Sequence, residues 1–260
     1  MNFLKQLNFS FFVYTILITK VFAEIGSNWE GNVSTGEKII QECKKAGAYA
    51  VKFQMWRAND LYTNKHPNWN EIRKSELTFK KALELKKFSD KIGINFVCSA
   101  FYPEAIDFLK LNGVKEFKIA SRTCLQKDPF SKETLNAISK TKKPVYISMG
   151  MGGNKKTIEK IFQNNKKIFC YCISEYPLDF KKINWKKAIK FDGFSDHTIG
   201  ITSSIVFATL KNLEGTKEIM IEKHVKLKNS KGPDASTSIT VEKLADMIRH
   251  LRLIEKSKLN

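Results

Sequence analysis

Residues 93–121 read GINFVCSAFYPEAIDFLKLNGVKEFKIAS, and this stretch decides the fold. A short apolar strand over 95–99 follows Gly93. Pro103 then opens a helix over 103–111, which Gly113 closes, and a second apolar strand follows over 116–120. Proline at a helix start and glycine past its end are the usual punctuation. A strand, a helix and a strand of this length describe a parallel pair with a helical crossover. Working outward, the same unit repeats. Strands are expected over 21–25, 49–54, 95–99, 116–120, 144–148, 167–172, 193–195 and 218–224. Helices are expected over 35–46, 75–91, 103–111, 131–139, 154–163, 185–190, 201–212 and 241–255, with a loop that carries Asn64, Pro67 and Asn70 leading from the second strand to the second helix, Ser131 and Asn154 as caps, and 193–195 the least marked strand. Eight strands alternating with eight helices favour closure into a (β/α)8 TIM barrel over an open sheet. Such a barrel takes about 250 residues. A chain of 260 residues then divides into an N-terminal extension over 1–19 and one barrel over 20–260. No dinucleotide fingerprint follows the first strand, since Gly26, Gly31 and Gly36 lack the G-x-G-x-x-G spacing.

The formal net charge is +19, mostly lysine, and it is dispersed rather than blocked. A dispersed excess suits a solvated surface, or a field that draws a small anion. No zinc-finger spacing, RNA-binding aromatic signature or basic helix points to nucleic acid. The five cysteines, Cys43, Cys98, Cys124, Cys170 and Cys172, fit neither a zinc site nor a disulfide framework, and read as free thiols of a reducing compartment. At the N-terminus Lys5, the apolar run 11–18 and Val21-Phe22-Ala23 imitate a secretory signal. Cleavage there would remove most of the first strand and the run is too short to span a bilayer. A cytoplasmic protein, without membrane partners, is therefore expected.

The strand ends, where barrel enzymes carry their chemistry, hold polar groups in apolar runs. They are Glu24, then Lys52 with Gln54, Ser99, Lys118 with Ser121, Ser148, Ser174, Ser195-Asp196-His197, and Glu222 with His224. Burying such groups is costly unless they are paired or meet a ligand. Two lysines among several hydroxyls suit a phosphate and a carboxylate on one small molecule. His197 and His224 end neighbouring strands and can share a metal, with water, substrate or a carboxylate such as Glu24 completing an open, Lewis-acidic site. Asp196 either orients an imidazole or caps the following helix. Trp29 and Tyr176, in loops on the same face, either stack on a sugar or pack.

At these residues the chain resembles the N-acetylneuraminate (sialic acid) synthase family. The matching segments, in order, are Glu24-Ile25-Gly26-Ser27-Asn28, Lys52-Phe53-Gln54, Lys118-Ile119-Ala120-Ser121, Ile147-Ser148-Met149-Gly150-Met151, Cys172-Ile173-Ser174-Glu175-Tyr176-Pro177, Phe194-Ser195-Asp196-His197-Thr198-Ile199-Gly200, Glu222-Lys223-His224 and Gly232-Pro233-Asp234. The resemblance covers about residues 20 to 255. It implies condensation of phosphoenolpyruvate with an N-acylated hexose to a nonulosonic acid, with phosphate leaving by C–O cleavage. It implies that His197 and His224 hold Mn2+ or Mg2+ and that the metal binds the sugar aldehyde. Lys52, Ser99, Lys118, Ser121, Ser148, Ser174 and Ser195 would bind phosphoenolpyruvate. Glu24, Gln54, Glu222 and Asp234 would face the sugar or the attacking water, with Tyr176 beside them. A homodimer is compatible with the resemblance.

Three positions depart from the family pattern. Trp29 stands where a histidine is usual, Ala235 where another is usual, and Thr123 replaces an acid that serves the attacking water. Many members also carry a C-terminal antifreeze-like domain that contributes to the partner's sugar site; here the sequence stops just after the eighth helix. If Trp29 and Ala235 line the sugar pocket, they favour a deoxygenated sugar. Two further readings are a relative acting on another aldehyde and a barrel that binds ligand without turnover.

Overall fold

The computed structural model describes residues 17–257. Of the expected 1–19 extension, all but the last three residues lie outside them. The strands are β1 Ile18–Glu24, β2 Ala50–Met55, β3 Asn95–Ala100, β4 Phe117–Ile119, β5 Val145–Ser148, β6 Lys167–Cys172, β7 Gly193–Asp196 and β8 Glu218–Lys226, with a two-residue β9, Ile239–Thr240, paired to β8. Each is parallel to the next, and β8 pairs back onto β1, so the sheet closes into a (β/α)8 barrel. The helices are α1 Val33–Lys45, α2 Ala58–Leu61, α3 Trp69–Lys74, α4 Phe79–Ile92, α5 Pro103–Leu111, α6 Ser121–Cys124, α7 Ser131–Lys140, α8 Lys155–Ile161, α9 Trp185–Ala188, α10 Thr202–Leu213 and α11 Val241–Lys256.

Local chemistry sets the helix ends. Asn154 caps α8 as expected, accepting from the Thr157 amide. Ser131 does not cap α7; it is the first helical residue, and Phe130 precedes it at φ 64°. Ser75 likewise ends α3, donating to Glu71 and Ile72 carbonyls, and Thr78 caps α4 instead. The first strand begins at Ile18, three residues before the expected start. Cleavage after Ala23 would take six of its seven residues.

The period-two alternation of strands builds the barrel interior in layers. Phe22, Ala50, Val97, Tyr146, Cys170 and Met220 form a buried apolar layer. Two residues back along the strands lies a polar floor, where Lys20 pairs with Glu218 at 3.2 Å and Tyr146 donates to Glu116 at 3.1 Å. Two residues forward lie Glu24, Lys52, Ser99, Ser148, Cys172 and Glu222. The alternate residues Val51, Phe53 and Met55 of β2 face outward into the main core with the helices. The apolar layer therefore closes the bottom of a polar basin that opens at the C-terminal ends of the strands.

Candidate active site

Register brings the basin together. Glu24 of β1 is flanked by Lys52 of β2 and His224 of β8; Gln54 neighbours Ser99, Ser99 neighbours Lys118, and Ser195 neighbours Glu222. Lys52 Nζ lies 2.6 Å from Glu24 and 3.6 Å from Glu222, and donates to Ser99 Oγ at 3.2 Å. Lys118 Nζ donates to Ser148 Oγ at 2.6 Å and lies 3.6 Å from Glu222. Gln54 donates to Glu24 at 2.6 Å, and Ser195 donates to Glu222. Two buried lysines thus face two buried carboxylates. Their environments separate the acids. Burial raises Glu24 and outweighs the pull of Lys52, bringing its pKa to about 7. Burial also opposes the Glu222 carboxylate, but Lys118 and then Lys52 overcome it and hold it at about 2. Paired acids pushed apart in this way are a mark of acid–base chemistry.

A cavity of about 50 Å³ holds Glu24, Lys52, Lys118, Ser148, Ser195 and Glu222 with His197 and His224. Outside it a larger cavity, about 350 Å³, shares Gln54, Ser121, Tyr176 and His224 and adds Ser174 and Asp234. Ser99 stands behind Lys52 as its hydrogen-bond partner rather than in a cavity wall. Asp234 reaches the rim because the Ser27 amide and hydroxyl both donate to it, at 2.8 and 2.6 Å. Gly26, at φ +53°, makes that approach possible, since a Cβ there would fall 2.5 Å from the Asp234 carboxylate. Gly150 serves similarly: its amide donates to Ser121 Oγ at 2.9 Å, and a Cβ would strike Cys172 and Ser174.

The two histidine rings lie with centroids 5.6 Å apart. His197 Nδ1 is bonded to the Ile173 carbonyl at 2.8 Å, which leaves Nε2 as the coordinating atom. His224 keeps a buried Nδ1 without a hydrogen-bond partner, and burial, against Asp234 and Glu222, holds its pKa below the ordinary value, which favours the neutral ring a metal needs. Metal–nitrogen bonds of about 2.1 Å allow ring centres up to roughly 6.4 Å apart, so the pair fits one ion. Among the described residues no third histidine, cysteine or carboxylate joins them, so Glu24 does not complete the set and water or substrate would. Tyr176 lies over His197 at 4.1 Å and edge-on to His224, half-exposed at the mouth.

Three residues stand elsewhere than the sugar reading requires. Trp29 is 1 % exposed and packs edge-on against the outward-facing Phe53, so it is a core residue and not a sugar contact. Ala235 lines neither cavity. Thr123 is buried, with no partner for its hydroxyl, and lines neither cavity. Asp196 does not orient an imidazole. It accepts from Thr198, Ser203 and Ser204 and pairs with the wholly buried Lys223 at 3.1 Å, fixing the turn from β7 into α10.

Two features escape reading by residue type. Cys172 lines the deep cavity, where Ser121 donates to its sulfur at 3.6 Å. Burial raises its thiol, but the neighbouring His197, Ser121 and Lys118 together outweigh this and leave it below the ordinary value. The signal was its position two after the buried Cys170. The second feature is an aromatic wall on the outer cavity, built from Trp56, Leu61, Tyr62 and Phe101. It is carried by α2 and the ends of β2 and β3, in a stretch that reads in part as loop.

Comparison with known proteins places this geometry. Residues 39–260 match the NeuB family. An uncharacterized protein of Methanocaldococcus jannaschii is 35% identical over 251 residues, covering 92% of this chain and 71% of that protein. The N,N'-diacetyllegionaminic acid synthase of Campylobacter jejuni is 30% identical over 268 residues, covering 92% and 77%. The crystal structure of N-acetylneuraminic acid (sialic acid) synthetase from Leptospira borgpetersenii, in complex with citrate, superposes with a TM-score of 0.81 at 26% identity, covering 91% of this chain and 84% of that one.

Proposed function

The chain is a synthase-type enzyme of the NeuB family, and from that premise we propose that it condenses phosphoenolpyruvate with an N-acylated hexose to a nonulosonic acid, releasing phosphate. The observation that carries this reading is the buried Lys52–Glu24 and Lys118–Glu222 network beside the His197–His224 pair. Lys52 and Lys118, with Ser121, Ser148, Ser174 and Ser195, offer charge-assisted and neutral donors to the phosphate and carboxylate of one substrate. Ser174 Oγ is buried without a partner, as expected of a donor waiting for ligand.

His197 and His224 would hold manganese or magnesium, which when bound would supply Lewis-acid polarisation of the sugar aldehyde. Gln54, Glu222 and Asp234 hold the sugar, and Tyr176 closes over it. In the balanced reaction C3 of phosphoenolpyruvate bonds to the aldehyde carbon, water adds at C2, and the C2–O bond to phosphate breaks. A group must take the proton from that water. Thr123 lies outside both cavities, so Glu24, poised near neutrality, takes that role.

We place the enzyme in the cytoplasm. All five cysteines are free and four are buried, which suits a reducing compartment. Among the described residues no helix is long and apolar enough to cross a membrane.

The test is phosphate release from phosphoenolpyruvate with N-acyl hexosamines and manganese, on the parent and on His197→Ala and His224→Ala. Turnover should need the ion and vanish in both variants with circular dichroism unchanged. Full activity after chelation would exclude the metal role.

A further inference from the structure

His197 and His224 end neighbouring strands, and each is preceded by a charged residue that the basin does not use. Asp196 and Lys223 are cross-strand partners in the register of β7 on β8. The period-two alternation turns them to the far side of the sheet from the basin, and neither lines either cavity of the site. Both side chains are wholly buried, and their carboxylate and ammonium meet at 3.1 Å.

The contacts of this pair bracket His197. Lys223 Nζ donates to the Thr198 carbonyl while pairing with Asp196, so one ammonium holds the chain immediately before and immediately after the histidine. Asp196 is itself fixed by the Thr198 amide at 2.9 Å and by the Ser203 and Ser204 hydroxyls at 2.6 and 2.7 Å. The same lysine is joined directly to His224 in the chain. The His197 ring has a further anchor in the Ile173 carbonyl, whereas His224 Nδ1 has no hydrogen-bond partner. The position of His224 is therefore set by the strand that carries it. A buried ion pair is a poor source of net stability, since apolar groups of similar volume often serve as well or better. What it can supply is fixed geometry, and a metal site needs that, because its bonds tolerate only about 0.2 Å. Ring centroids 5.6 Å apart admit one ion only while β7 and β8 keep their offset.

We propose that Asp196 and Lys223 are positioning residues for the metal. The pair locks the ends of β7 and β8 from behind and, through the backbone, holds the His197 and His224 rings at the separation that one divalent cation requires. The inference rests on the reading of the two histidines as the metal pair.

The experiment is a titration of the full chain with Mn2+ alone, followed by the electron paramagnetic resonance of the free ion, beside thermal unfolding and calorimetry with phosphoenolpyruvate in the absence of metal. Lys223→Met strands Asp196 and lowers stability as well, so the deciding variant is the double one, Asp196→Asn with Lys223→Met, which leaves no unpaired charge. It should regain most of the lost Tm, keep the affinity for phosphoenolpyruvate, and bind Mn2+ about tenfold or more weakly than the parent, the scale on which groups behind metal ligands act. Trp29→Ala, a change in the core, should lower Tm and leave Mn2+ affinity unaltered. Parental Mn2+ affinity in the double variant overturns the inference while the metal reading stands. So does an equal loss of phosphoenolpyruvate affinity, or a fall in Mn2+ affinity shared by Trp29→Ala. A parent that binds no Mn2+, or a His224→Ala variant that binds it as tightly as the parent, overturns the metal reading and the inference with it.

Discussion

Replacing Lys118 by methionine keeps the aliphatic stem and removes one charge from the centre of the basin. Lys118 is 2 % exposed, donates to Ser148 and faces Glu222 at 3.6 Å. Two separable effects follow. Phosphoenolpyruvate loses a charge-assisted contact in a desolvated site, worth about 1.5–3 kcal/mol. At about 1.4 kcal/mol per decade, its affinity falls roughly 10- to 150-fold. Glu222 loses the stronger of the two cations that hold its pKa at about 2. Breaking one side of a buried pair costs on the order of 3–5 kcal/mol of stability. A second substitution, Glu222→Gln in the same chain, removes the stranded charge and should recover most of the thermal stability without recovering affinity. The assay is calorimetric titration with phosphoenolpyruvate beside thermal unfolding, with Lys132→Met on the exposed side of α7 as control. A Lys118→Met protein that binds phosphoenolpyruvate as tightly as Lys132→Met would refute the assignment of Lys118 to the anion site.

Glu24, raised to about 7, has to be ionised to take a proton, so kcat should climb as pH rises through about 7 and then level, and Glu24→Gln should lose both the activity and that limb. Asp196 lies below its ordinary value of 3.8: burial opposes its ionisation, but Lys223 and the Ser203 and Ser204 hydroxyls outweigh that. Its contribution is therefore complete above the unfolded value and is lost as pH falls toward the lower folded one. Asp196→Asn, which strands Lys223, should lower stability by about 3–5 kcal/mol at neutral pH, and the gap in Tm from wild type should narrow in acid; a gap independent of pH would show that the ion pair is not its source. Trp29→Ala should cost about 3–5 kcal/mol of stability, as for a buried aromatic, and leave the KM for sugar unchanged. A raised KM there with unaltered Tm would return Trp29 to the pocket.

The barrel was legible because each strand repeats one simple code. Apolar residues flank a polar residue at the C-terminal end, and period two turns that position inward, as with Lys52 between Val51 and Phe53. The same code puts Glu24, Lys118, Ser148, Ser195 and Glu222 at matching positions near the C-terminal ends of their strands. It failed where elements are too short to show a period. Helices α2 and α3, of four and six residues, sit in a stretch that reads as loop around Asn64, Pro67 and Asn70, and α2 ends at Leu61, part of the outer wall. It failed for Trp29 because a loop residue carries no facing information; only the outward Phe53 shows that it packs into the core. Lys223 was hidden for the opposite reason. It alternates with Glu222 and His224 and so points away from the basin, where Asp196 neutralises it.

One reaction defines the proposed function, and phosphoenolpyruvate labelled with 18O at the bridging oxygen tests it most directly. With manganese and an N-acylated hexose, mass spectrometry should find the label in the released phosphate and a 2-keto-3-deoxy acid formed in equal amount. Label kept in a keto acid, phosphate released without sugar, or no phosphate from a folded protein that binds phosphoenolpyruvate would contradict it.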